Sequence, residues 1–129
     1  MTRRGMCGLL LLAVSFSGEL RADDETAPVA VSPAQEVALG ARVRAAFLES
    51  HPLSADGNLA VRVDELGRRL ARFSDRPELG YRFLVVQGGE LQASSIPGGT
   101  VCLTEGLTRL YTDDDELAFA IGHELAHLT

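Results

Sequence analysis

The sequence has no lysine and no tryptophan; all twelve of its basic residues are arginine, set against eighteen acidic ones. A net charge of −6 leaves no basic footprint for nucleic acid or an anionic membrane. Aromatic residues make up 5% of the chain and hydrophobic residues 46%, so an aliphatic core is expected in a single domain, or part of one. Cysteine is also scarce. Cys7 precedes the only apolar run near the N-terminus, so Cys102 is the one cysteine expected in a mature chain, and no internal disulfide can form. Small apolar packing on a strand is its expected role; spacing gives no support to a zinc-ligand role. The first apolar run, Leu9 to Val14, is far too short to span a bilayer.

That short run sits behind Arg3 and Arg4 and ahead of a polar stretch, Ser15 to Ala22. Residues 1–22 therefore read as a secretory signal peptide, cleaved after Ser17 or Ala22, with a buried N-terminal helix as the weaker alternative. Export to the periplasm or beyond follows, and removal of residues 1–22 makes the mature chain more acidic, since Arg3, Arg4 and Arg21 leave. Residues 23–32 are acidic, then rich in Ala, Pro and Val, and read as a linker.

Ser32, Pro33 and Gln35 compose a helix start: an N-cap, a proline at the first helical position and the partner of a capping box. A helix is predicted over 33–50, broken by Pro52 and Gly57. Leu59, Val63, Leu66 and Leu70 recur at spacings of three and four, predicting a second helix over 59–73. Residues 81–87 read as a strand, 91–95 and 100–104 as two more, with Pro97-Gly98-Gly99 as a corner between the latter two. Such short connections leave no room for helical crossovers, so the sheet is expected to be mainly antiparallel. A short helix over 105–111 leads to the last, for which Thr112 is the expected cap, with Asp115 completing a capping box. The fold class is α+β. The acidic run Asp113 to Glu116 suits the positive end of that helix better than a calcium loop, whose alternating ligands are absent.

The last helix carries His123-Glu124-x-x-His127. On an α-helix these histidines lie about 40° apart around the axis and about 6 Å along it, so two imidazoles can converge on one Zn2+. Glu124 stands about 100° round from His123, placed to take a proton from water at the metal without ligating it. Leu117, Ile121, Leu125 and Leu128 form the opposite, core-facing stripe. Coincidence on an amphipathic helix is the rival reading. It is the weaker one, because both histidines lie off the apolar stripe and only one other histidine, His51, exists. His51 itself reads as a surface residue near a helix C-terminus.

Beyond the short motif, four segments in order resemble the zinc metallopeptidase family of the CAAX prenyl protease, HtpX and BepA. They are "QEVALGARV", "VDELGRRLA", "LQASSIPGGTVCLTEGL" and "DDDELAFAIGHELAHL", within a resemblance that runs from about Ser32 to Leu128. Gln92, Ser94 and Ser95 depart from the family's usual Asn, Phe and Ala, which bears on the shape of the substrate cleft. The resemblance implies a zinc-dependent endopeptidase acting on polypeptide substrates in envelope protein quality control. It implies His123 and His127 as metal ligands and Glu124 as general base. It further implies a substrate-pairing strand, for which Gly98, Gly99, Thr100, Val101 and Cys102 are the candidates; a plain chain turn at Gly98-Gly99 is the alternative. The family's third zinc ligand is a glutamate on a later helix, so residues 33–129 are expected to be the front part of a peptidase domain. On that expectation Leu117, Ile121 and Leu125 would be only half covered. A catalytically inactive remnant that binds polypeptides or a partner is the competing function.

Overall fold

The computed structural model describes residues 30–129; the signal peptide expected over 1–22 and most of the linker lie outside the described residues. Helix α1 spans Pro33–Ser50 and α2 Gly57–Ala71, followed by strands β1 (Arg82–Val86), β2 (Ala93–Ile96) and β3 (Thr100–Thr104). Helices α3 (Glu105–Leu110) and α4 (Asp114–Ala126) complete the α+β architecture. Local chemistry accounts for the helix starts. Ser32 and Gln35 form the reciprocal capping box on α1, at 3.2 and 2.8 Å. The Asp56 carboxylate caps α2 through the amides of Asn58 and Leu59.

The sheet is mixed rather than mainly antiparallel, in the order β1-β3-β2. β3 runs parallel to β1 and antiparallel to β2. The short connections do exclude a helical crossover, but β2 itself serves as the crossover. The chain leaves β1, runs back along β2 at the far edge, turns at Pro97-Gly98-Gly99 and inserts β3 between the two. The turn needs glycine: Gly98 and Gly99 have φ of 93° and 105°, where a side chain is strained.

Alternation along β3 divides the core. Val101 and Leu103 join Phe83 and Val85 of β1, Val63 and Leu66 of α2, and Leu117, Ile121 and Leu125 of α4 in one cluster. α2 and α4 therefore share one face of the sheet. The opposite face carries Thr100 and Cys102, and Arg44 of α1 reaches over it to the Thr100 hydroxyl at 3.4 Å. Two glycines allow the helices to approach closely. A Cβ at Gly67 would overlap the Phe83 ring, and one at Gly40 would overlap the Pro97 carbonyl. The half-covered core expected from sequence is not found. Leu117 and Ile121 are fully buried and Leu125 nearly so, because α2 and the sheet already enclose them. The exposed apolar side chains nearby are Phe73 and Phe119, at 88% and 79%. None of the described helices is long and apolar enough to cross a membrane.

Candidate active site

α4 begins one residue later than expected. Asp113, not Thr112, is its N-cap, accepting a 2.8 Å hydrogen bond from the Asp115 amide. A carboxylate is the stronger acceptor next to the positive end of the dipole, which Asp114, Asp115 and Glu116 also face. From this start Leu117, Ile121, Glu124 and Leu128 fall on one stripe at spacings of four, three and four. Three of them are buried hydrophobics, and Glu124, only 3% exposed, is the fourth. A carboxylate thus occupies a core position of an otherwise aliphatic stripe. Among the described residues no side-chain hydrogen bond to its carboxylate is found, yet its oxygens are not sealed off: the one buried side-chain atom without a partner is Arg62 Nη2.

His123 and His127 lie beside that stripe and are exposed. His127 is the C-cap residue, just past the last helical position, yet its φ and ψ of −73° and −16° keep it in helical geometry. The two rings meet edge to face, and their Nε2 atoms are 3.2 Å apart. Two nitrogens bound about 2.0–2.1 Å from one tetrahedral zinc stand about 3.3 Å from each other. The pair is therefore already set at the spacing of a shared metal. The two imidazole nitrogens and a Glu124 oxygen lie within 4.8 Å of one another. No fourth His, Cys, Asp or Glu joins this group among the described residues. The donor set fits zinc, with two nitrogens, a neighbouring carboxylate and open positions remaining.

The expected substrate strand needs correction. Thr100, Val101 and Cys102 are all 1% exposed or less and lie in the central strand, with β1 on one side and β2 on the other. Their backbone edges are taken, so an extended peptide cannot pair with them. Gly98 and Gly99 form the turn that enters this strand. The outer edge of β1 is closed as well, by bonds from the Ser54 amide to the Val85 carbonyl and from the Gln87 amide to the Pro52 carbonyl, each 2.8 Å. The remaining edge belongs to β2. The Thr104 amide bonds to the Gln92 carbonyl, so by alternation Ser94 and Ile96 also face β3 with their polar backbone groups, and Ala93 and Ser95 turn theirs outward. Cys102 is a packing residue, as expected. Burial pushes its thiol up to about 12, opposed by the nearby Arg44 charge.

One cluster carried no sequence signal. Arg76, in the loop after α2, holds both oxygens of Glu36 on α1, at 3.0 and 2.8 Å, and also donates to the Leu128 carbonyl at 3.2 Å. The Gly98 amide donates to the same Glu36 carboxylate at 3.4 Å. The guanidinium holds the Glu36 carboxyl below its ordinary value, with partial burial opposing. These residues are dozens of positions apart, so neither periodicity nor spacing reveals them.

The sequence pattern of peptidase family M48 matches residues 58–129. The beta-barrel assembly-enhancing protease of Yersinia pestis is 30% identical over 95 residues, 74% of this chain and 20% of the relative. Its namesake in Escherichia coli K12 is 28% identical over 99 residues, 77% of this chain and 20% of the relative. The chain thus spans about a fifth of the length of these curated relatives. With the family pattern running through both strands of the hairpin and the whole of α4, this chain belongs to peptidase family M48.

Proposed function

We propose that the chain carries the metal-binding part of a zinc-dependent endopeptidase, with His123 and His127 as ligands and Glu124 as general base. The observation that carries this reading is the pair of Nε2 atoms 3.2 Å apart beside a buried carboxylate that no other described side chain engages. A zinc ion there would supply a Lewis acid that polarises a peptide carbonyl and makes water acidic near neutral pH. Glu124 does the proton work. Its carboxylate accepts a proton from the attacking water and hands it to the leaving amine nitrogen, a transfer for which its fixed place on the stripe is suited. The outward backbone groups of Ala93 and Ser95 at the β2 edge are suited to hold an extended polypeptide, a role moved here from β3. The third ligand would come from outside the described residues; the family resemblance assigns it to a glutamate on a later helix. Export and a part in envelope protein quality control belong to the same proposal, supported by the charged, apolar and polar order of residues 1–22.

The test is casein cleavage with added zinc, comparing the chain alone with a fusion that appends a family helix carrying the downstream glutamate. The chain alone is expected to show negligible cleavage and the fusion chelator-sensitive cleavage that Glu124→Gln abolishes. A folded, zinc-loaded fusion whose activity survives Glu124→Gln would overturn the role given to that carboxylate.

A further inference from the structure

We propose that Arg76 is a positioning residue for the metal-binding histidines. Clamped by Glu36 of α1, it grips the Leu128 carbonyl and sets the last turn of α4, with His127, against the Pro97–Gly99 corner. The proposal rests on the metal-site reading of His123 and His127. Its basis is a junction of three segments on one guanidinium. The fork of Arg76 meets the Glu36 carboxylate with two nitrogens, a geometry lysine cannot reproduce. Its Nη1 also donates to Leu128, one residue past His127. Glu36 in turn accepts from the Gly98 amide, and Gly40, one helical turn along α1, packs against the Pro97 carbonyl with no room for a Cβ. α1 therefore bears on the hairpin corner directly and on the end of α4 through Arg76.

This contact matters because it lies one residue from His127. The His127 amide reaches the Glu124 and Leu125 carbonyls, and the Leu128 amide reaches Leu125 at 3.0 Å. Arg76 adds a further tie to this segment, at the Leu128 carbonyl. If the turn loosens, the imidazole of His127 drifts from that of His123 while the core stripe stays packed. The expected signature is lost metal affinity in a protein that remains folded. Arg62 supplies the control. It holds the opposite end of α4 through Asp114 at 2.8 Å, and it also donates to the Thr108 carbonyl at 3.2 Å.

The experiment titrates zinc into the full chain and into its Arg76→Gln, Arg76→Lys and Arg62→Gln variants, well below their unfolding midpoints, following the imidazole resonances by NMR. Amide exchange of His127 and Leu128 is measured without metal in the same samples. Arg76→Gln is expected to weaken zinc binding on the order of tenfold, as loss of a supporting contact does. It should also speed exchange at both amides. Arg76→Lys should recover part of each effect, and Arg62→Gln should lower the midpoint without either. Equal zinc affinity in wild type and Arg76→Gln would overturn the positioning role and leave the metal site standing. Absence of zinc binding by the wild type would instead sink the metal-site reading. The exchange data would still decide the tether, which unchanged rates at His127 and Leu128 would refute.

Discussion

The Nε2 atoms of His123 and His127 face each other across 3.2 Å on the exposed side of α4, and a carboxylate oxygen of the largely buried Glu124 lies within 4.8 Å of this pair. One turn of helix thus brings two exposed imidazoles and one largely buried side chain to a single group. Each part has measurable consequences.

A carboxylate on an aliphatic stripe is expected to cost stability. Glu124→Leu would complete the stripe of Leu117, Ile121 and Leu128 with a side chain of similar volume. It is expected to raise the unfolding free energy of the metal-free chain by about 1–2 kcal/mol, measured by urea denaturation. A fall in stability would mean that Glu124 has a partner essential to the fold.

Close packing of α1 on the hairpin makes Gly40 intolerant of substitution. Gly40→Ala pushes a Cβ into the Pro97 carbonyl and is expected to destabilise by about 1–3 kcal/mol. Gly57→Ala, with open space around its Cβ, should be neutral or slightly stabilising. Thermal midpoints of the two variants, read side by side, check this.

The Glu36–Arg76 pair makes part of the stability depend on pH. Its hydrogen bond with Arg76 lowers the folded-state pKa of Glu36, so the contribution is present above the unfolded value and lost as pH falls through the folded one. The stability gap between wild type and Glu36→Gln should be full at neutral pH and shrink in acid, below the ordinary carboxylate range. Because the pair is partly exposed, the gap should also narrow with added salt. A gap that does not change with pH would contradict the assignment.

Cys102 reports on the position of β3. Buried, and with its thiol raised to about 12, it should resist Ellman's reagent at pH 8 in the folded chain and react fully in denaturant. Rapid reaction without denaturant would place 100–104 at an open edge after all.

The parts legible from sequence are those fixed by neighbours. Ser32 to Gln35 announced α1, the recurrence from Leu59 to Leu70 announced α2, and the spacing of His123, Glu124 and His127 put three chemical groups within reach of one another. Strand order was not legible, because pairing joins residues that no local pattern links. Even so, "ASSI" reads as an edge strand once its polarity is weighed, and "TVCLT" as a strand buried on both faces. The Asp113 cap was missed by one residue because Thr112 offers nearly the same chemistry. The Arg76 junction was beyond reach, since only the folded chain brings Glu36, Gly98 and Leu128 to one side chain.

The most direct measurement is a zinc titration of the full chain, followed through the imidazole nitrogens of His123 and His127. One zinc per chain is expected, weakly held, shifting both Nε2 resonances together, with binding lost in His123→Ala and in His127→Ala. Zinc that leaves these resonances unmoved, or that binds equally well to both variants, would contradict the metal-site reading.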